Sequence, residues 1–327
     1  MEQKIGWGFI GAGGITNRFI NGMAKVPDAY LAAVGSRTEA KARTLAAKYD
    51  AAVYTDIKKV VNDKNVDVIY VATPHNLHME HTIMALESGK PVLCEKPMAP
   101  NANSVRKMVS VAREKNIYLM EGMWTRFFPV MHKVRKWLSD GEIGKVHLVT
   151  ADFGFYANEN PASRLFDPNL AGGSLLDVGV YTVAFASMVF GQKPQRISSM
   201  AEMTSTGVDG RMCCILGYET GGMASLFSAV RTNSPQEAKI IGEYGNITIP
   251  KFWSPDRAVL SKAGKIYEEF INQNESEGFE YEIRAVHSDL RTGRLENLLM
   301  PLDESIAIAE TMDDIRKQWG LVYPFEK

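Results

Sequence analysis

Pro91-Val92-Leu93-Cys94-Glu95-Lys96-Pro97 sets a charged pair at the end of a short apolar run. In a chain that alternates strands with helices, such a run reads as a strand of a parallel sheet covered on both faces. Ligands of open α/β sheets bind beyond the carboxyl ends of the strands, so Glu95 and Lys96 would leave the sheet where a cofactor sits. Taken alone, the heptapeptide reads equally as a surface salt bridge ahead of a proline turn. The segments around it decide between the two.

Upstream, Ile5–Ile10 reads as a first strand, followed by Gly11-Ala12-Gly13-Gly14-Ile15-Thr16 and an amphipathic stretch through Phe19, Ile20 and Met23. A strand, a glycine turn and a helix start make a dinucleotide site. Gly11 allows the tight turn, and Gly13 lets a pyrophosphate approach the free N–H groups and dipole of the helix N-terminus. Thr16 holds the third glycine position of the fingerprint. The second strand, Tyr30–Gly35, ends at Ser36-Arg37-Thr38 with Lys41 one helical turn on. An NAD site usually carries a carboxylate there, whereas serine and arginine accept a 2′-phosphate, so NADP is expected, with NAD as the alternative. Val66–Ala72 is a third buried strand, leading to Thr73-Pro74-His75-Asn76-Leu77-His78. His75, His78 and His81 do not share one helix face, since positions six apart point about 120° from each other, and no metal site is expected.

Composition narrows the partners. With 37 Lys plus Arg against 38 Asp plus Glu, the net charge of −1 gives no argument for nucleic acid or a membrane surface. The 327 residues and 45% hydrophobic content fit a protein of two domains with sizeable cores. No signal-peptide pattern and no uncharged run of membrane-spanning length stands out, and Cys94, Cys213 and Cys214 lack zinc or disulfide spacing. A cytoplasmic location is expected.

The domain boundary is expected near Gly122, giving a cofactor domain over 1–122 and a substrate and dimerisation domain over 123–299. Val130–Ser139 reads as a helix, Val146–Phe155 as a strand, and Tyr156–Ala171 as a long polar loop. Gly172-Gly173-Ser174 then opens a helix carrying Asp177 and Tyr181 four residues apart, side by side on one face. Afterwards Ile197–Met203, Met212–Tyr218, Met223–Arg231, Ala238–Ile249 and Ala258–Lys262 follow at hairpin distances, which predicts a mostly antiparallel sheet. Met212–Leu216 and Met223–Val230 carry apolar side chains on both faces, where a monomer needs only one buried, so a homodimer is expected. Phe279–Leu290 and Ser305–Trp319 return to helical periodicity.

Taken in order, Gly11-Ala12-Gly13-Gly14-Ile15, Ala72-Thr73-Pro74, Glu95-Lys96-Pro97 and Gly172–Tyr181 resemble the landmarks of the glucose–fructose oxidoreductase, inositol dehydrogenase and MocA family along the whole chain. Met123-Trp124-Thr125-Arg126-Phe127-Phe128-Pro129 is most similar to its branch of dimeric dihydrodiol dehydrogenases and NADP-dependent D-xylose dehydrogenases. The resemblance implies an α/β fold: a Rossmann doubly wound parallel sheet, then an α+β domain with a large, mostly antiparallel open sheet that dimerises. It also implies that residues 300–327 return to the first domain and that Lys96–Pro97 is cis.

Carried over by position, Lys96 lies beside the nicotinamide and the reacting oxygen, and Tyr181 takes the place of the acid/base residue, where many members have histidine. A tyrosine, with an ordinary pKa of about 10, needs nearby positive charge to act as a base, and Lys96 is its source. Asp177 orients a substrate hydroxyl or Lys96. Cofactor contacts are expected from Gly11, Gly13, Gly14, Ile15, Ser36, Arg37, Lys41, Thr73, Pro74, Asn76, His78, Glu95, Lys96 and Trp124, and substrate contacts from Trp124, Phe153, Arg164, Asp177, Trp253 and Phe279. The reaction class is hydride transfer between nicotinamide and a hydroxyl carbon of an uncharged sugar, cyclic polyol or trans-dihydrodiol. Two alternatives remain: a non-catalytic dinucleotide-binding regulator, and a relative that uses tightly held NAD to start elimination or bond cleavage.

Overall fold

A computed structural model describes residues 3–47, 49–191, 193–273 and 276–326. The chain divides into two compact units: Met1–Ala99 with Asn103–Trp124 and Asn274–Ser305, and Pro100–Ala102 with Thr125–Gln273 and Ile306–Lys327.

The first unit is built on six strands, β1 Ile5–Ile10, β2 Ala29–Gly35, β3 Ala52–Tyr54, β4 Val68–Val71, β5 Val92–Glu95 and β6 Leu119–Gly122. Between them run α1 Gly14–Met23, α2 Glu39–Ala46, α3 Ile57–Val61, α4 His78–Glu87 and α5 Ala102–Lys115. The strand order is β3-β2-β1-β4-β5-β6, and every pairing is parallel. β1 is buried along its whole length because it pairs on both edges and is covered on both faces, which is why its sequence shows no alternation. The reversal of order between β1 and β4 opens a crevice at their carboxyl ends.

The second unit holds α6 Pro129–Ser139, α7 Val180–Phe190 and eight strands: β7 Val146–Gly154, β8 Arg196–Met203, β9 Asp209–Gly217, β10 Met223–Ala229, β11 Ala238–Gly242, β12 Gly245–Ile249, β13 Arg257–Lys262 and β14 Lys265–Ile271. Their order is β14-β13-β12-β11-β7-β10-β9-β8. Only the β7–β10 pair is parallel among the described residues. Along β9 the alternation is strict: Met212, Cys214 and Leu216 point into the core, while Arg211, Cys213 and Ile215 face outward. The stretch Ala238–Ile249 is a hairpin rather than the single strand expected, because β11 and β12 fold back on each other at Glu243-Tyr244. α7 belongs to a helical stretch, Pro168–Phe190, long and apolar enough to cross a membrane, but 83% of its most apolar 18-residue window is buried, as befits a core helix.

Two helices close the chain, α8 Phe279–Thr292 and α9 Leu302–Lys317. The returning segment is Asn274–Ser305, earlier than the 300–327 expected. Phe279 of α8 packs on Phe19 and Trp124, and His287 accepts a hydrogen bond from the Trp7 indole at 3.0 Å. The later turns of α9 belong to the second unit, where Lys193 pairs with Glu310 and Asp314, and Ser199 bonds Gln318.

Candidate active site

In the first unit the glycine turn is fixed by contact. Gly11 has φ +115°, and a Cβ there would lie 2.4 Å from the Ala72 carbonyl oxygen, so only glycine fits. Side chains at Gly13 and Gly14 would meet nothing within 4 Å. Gly13 caps α1 with no side-chain hydrogen bond, and Ile15 beside it is half-buried. A helix N-terminus with its N–H groups uncapped beneath an open glycine surface fits the pyrophosphate of a dinucleotide. Thr16, at the third position, turns inward and donates to the Gly13 carbonyl at 2.6 Å, tightening the turn.

Beyond β2, Ser36 accepts from the Thr38 amide, while Arg37 and Lys41 are exposed and form no ion pair among the described residues. Beyond β4, Thr73, Pro74 and Asn76 are half-buried. The Asn76 Oδ1 is a buried acceptor with no partner among the described residues, which suits a ligand hydroxyl.

Three expected cofactor contacts are placed elsewhere. His78 is fully buried, with Nδ1 2.9 Å from the Pro97 carbonyl and Nε2 2.8 Å from the Thr73 carbonyl. Burial pushes its pKa down to about 4. Neutral, the ring donates to one of these carbonyls only, and it sits buried between the turn after β4 and the turn after β5. Glu95 points inward as well, accepting from the Tyr70 hydroxyl and, at 3.2 Å, from the Lys96 amide. Burial raises its pKa, against the hydrogen bond from Tyr70 and the charge of Lys96. Trp124 is 2% exposed and stacks on the fully buried Phe279 at 4.4 Å and 6°, with the Arg18 guanidinium over both rings and paired to Glu277. These two aromatics are core of the first unit. Lys96 itself is half-buried, and the Lys96–Pro97 bond is cis as expected.

In the second unit the helix that carries Asp177 does not begin as an α-helix. Leu175–Gly179 is a π turn, a rare form frequent at functional sites, and α7 follows it. The α-helical spacing assumed from sequence therefore does not describe the Asp177 to Tyr181 segment. Its start is held by Asp209, whose Oδ2 accepts from Ser174 Oγ and the Leu175 amide, both at 2.7 Å. Gly173 has φ +116°, and a Cβ there would lie 2.2 Å from the Asp209 Oδ1. Asp177 is 6% exposed and accepts from Arg164 at 2.8 Å. Because Arg164 is largely exposed, this pair adds only about 0–1 kcal/mol of stability, so its main effect is to orient the carboxylate. Tyr181 lies 5.4 Å from Phe153, which stacks on Trp253 at 5.0 Å and 14°. The Trp253 indole donates to Gln236 at 2.8 Å, fixing the outer ring.

Sequence reasoning missed Asp209, which reads there as part of a turn, and Glu282, which reads as a solvated helix residue. Glu282 is fully buried, neither carboxyl oxygen has a partner among the described residues, and burial together with Glu95 pushes its pKa well above the usual range. No group of three or more His, Cys, Asp or Glu that could hold a metal exists among the described residues.

Asp209 makes the second unit sensitive to pH. Burial raises its pKa from 3.8 to about 6. The folded chain thus binds this proton more tightly than the unfolded one, so the stabilisation is complete below 3.8 and is lost as pH rises through about 6. Asp209→Asn keeps an acceptor oxygen without the charge. Between about pH 4 and pH 7 it should gain stability relative to wild type, by up to about 3 kcal/mol in denaturant unfolding. A difference that stays constant over that range would contradict this assignment.

Comparison with known proteins finds two family models along the chain. Residues 5–123 match the model of an oxidoreductase family with an NAD-binding Rossmann fold, and residues 131–248 match the GFO/IDH/MocA C-terminal domain. The chain is 37% identical to trans-1,2-dihydrobenzene-1,2-diol dehydrogenase of Mus musculus, over 99% of this chain and 100% of that one. The protein of the same name from Xenopus tropicalis is 35% identical over 97% and 99%. Among solved structures, an aldose-aldose oxidoreductase from Caulobacter crescentus complexed with glycerol superposes with a TM-score of 0.85 at 25% identity, covering 98% of this chain and 100% of that one. A 3-ketoreductase from Actinomadura kijaniata in complex with NADP and TDP-benzene shares the fold at 22% identity, TM-score 0.86, over 96% and 98%. The uncapped glycine turn, the Lys96 exit and the Asp177/Tyr181 helix thus sit in a chain that belongs to the glucose–fructose oxidoreductase, inositol dehydrogenase and MocA family of dinucleotide-dependent oxidoreductases.

Proposed function

We propose that the chain is an NADP-dependent dehydrogenase that oxidises an uncharged ring bearing two neighbouring hydroxyls, a trans-dihydrodiol in the first place, with cyclic polyols and aldoses as the adjoining class. The observation that carries the reading is the aromatic ladder Trp253–Phe153–Tyr181. A stacked Phe153–Trp253 pair with the Tyr181 phenol tilted 54° beside it suits an apolar ring whose hydroxyl is to lose its proton. The names of the relatives, at 35% and 37% identity, support the diol.

When bound, the nicotinamide accepts the hydride from the hydroxyl-bearing carbon. Tyr181 takes the hydroxyl proton, and the ammonium of Lys96 favours the phenolate it needs and the developing alkoxide. Asp177, oriented by Arg164, accepts from the second hydroxyl. Arg37, Ser36 and Lys41 receive the 2′-phosphate, since Ser36-Arg37-Thr38, directly after β2, holds no carboxylate to repel it. Charge argues against a sugar phosphate. Arg164 is paired with Asp177, and the buried Arg126 donates to the Ala184 carbonyl at 2.8 Å, so neither supplies a phosphate clamp.

The outward face of the second unit's sheet supports a homodimer. Met200, Ile215 and Met223 are 80%, 54% and 48% exposed, side chains that a second copy would cover. Light scattering should give twice the chain mass at micromolar concentration, and a monomer would contradict the proposal. A cytoplasmic location fits the free cysteines Cys94, Cys213 and Cys214.

Steady-state oxidation of a benzene trans-dihydrodiol, D-xylose, D-glucose and glucose 6-phosphate, each with NADP and with NAD, tests the main reading. The diol with NADP should have the highest kcat/KM, and glucose 6-phosphate should gain nothing over glucose. A preference for the phosphate ester, or for NAD, would overturn it.

A further inference from the structure

The last residues of the chain make more buried polar contacts than a terminus needs. Glu326 accepts four hydrogen bonds. Its Oε1 receives Asn101 Nδ2 and an Arg316 nitrogen, each at 2.7 Å, and its Oε2 receives the other terminal Arg316 nitrogen at 2.7 Å and the Tyr323 amide at 2.9 Å. Arg316 is equally committed. Besides Glu326 it donates to Asp313 at 2.8 Å and 3.0 Å and to the Leu321 carbonyl at 3.2 Å. The second oxygen of Asp313 accepts from the amide of Ala102 at 2.8 Å, the first residue of α5, where a carboxylate meets the positive end of the helix. Tyr323, fully buried under the Arg316 guanidinium, donates its hydroxyl to the Gly172 carbonyl at 2.8 Å across 151 positions of sequence.

The two ends of this network touch segments that matter. Asn101 and Ala102 close the turn that begins at Glu95-Lys96-Pro97, and Gly172 stands immediately before Gly173-Ser174 and the π turn of Asp177. An ordinary surface tail has no use for a saturated carboxylate and guanidinium, since exposed pairs contribute about 0–1 kcal/mol. Here Glu326 and Arg316 are nearly enclosed, with side chains 11% and 9% exposed, so the pair holds only while every bond is made.

We propose that residues 313–326 form a clasp whose positioning residues, Tyr323 and Glu326, hold the start of the Asp177/Tyr181 helix and residues 101 and 102 in place within the second unit. The inference rests on the assignment of Lys96, Asp177 and Tyr181 to the reaction. A 3-10 turn, Pro324–Glu326, brings the Glu326 carboxylate back under Tyr323. Removing one bond of the network leaves a buried carbonyl or amide unpaired, and small displacements of reacting groups are costly in rate.

Tyr323→Phe removes the hydroxyl that bonds Gly172, and Asn101→Ala removes one of the four donors to Glu326. Hydrogen exchange read by mass spectrometry should quicken at 170–181 in Tyr323→Phe and at 98–104 in Asn101→Ala. Turnover should fall about tenfold in Tyr323→Phe with the dissociation constant for NADPH, followed by fluorescence, unchanged. Exchange altered only within 313–326, or normal turnover in an active enzyme, would overturn the clasp. Exchange needs no turnover, so a wild-type chain without dehydrogenase activity would sink the proposed reaction while the exchange result still decides the clasp.

Discussion

Parallel strands all end at one edge, and the first unit depends on that constraint. Because β1, β2, β4 and β5 run the same way, Gly11, Ser36, Thr73 and Lys96 leave the sheet at the same edge, although the chain separates them by some 85 positions. Loops alone would not hold them there. His78 is buried between the Thr73 and Pro97 carbonyls and donates to one of them, and Glu95 turns inward to Tyr70, while Lys96 stays half-buried at the exit. Residues that look like ligand contacts in the sequence thus lie buried instead.

The second unit solves the same problem with a helix. A buried carboxylate, Asp209, receives the first amide of the π turn, and glycine at 173 lets that carboxylate come close enough to do so. Asp177 is oriented from one side by Arg164, and Tyr181 adjoins the Phe153–Trp253 stack. The proposed chemistry asks for a proton acceptor whose charge is supported by a cation. Family membership and the residues agree on an oxidoreductase. The substrate proposal rests on the aromatic wall and on the commitment of Arg164 and Arg126 to internal partners.

How much of this was legible in sequence follows from what each signal depends on. The buried strands, the glycine turn and the Lys96 exit are local patterns, and the parallel sheet followed from them. β14 and the β11–β12 hairpin were not legible, because a polar edge strand lacks an apolar alternation and Glu243-Tyr244 carries no strong turn signal. The inward turn of His78 and Glu95 depends on tertiary partners, Pro97 and Tyr70, distant enough in the chain that no spacing announces them. Trp124 and Phe279 were read as pocket residues, yet they stack on each other inside the first unit, since large aromatics gain most from full burial. The π turn was invisible because π and α segments share the same residue preferences. The return of the chain at Asn274–Ser305 rather than later depends on Phe279 packing against Phe19, which amphipathic spacing alone did not fix.

The central claim is that Tyr181 accepts the proton of the alcohol being oxidised. Single-turnover formation of NADPH by Tyr181→Phe, compared with wild type at saturating NADP and a trans-dihydrodiol, tests it most directly. Loss of a positioned general base costs about 10²–10⁴ in rate, so the account expects a fall of that size with nucleotide affinity intact. A rate within a few-fold of wild type would contradict it and take tyrosine out of the reaction.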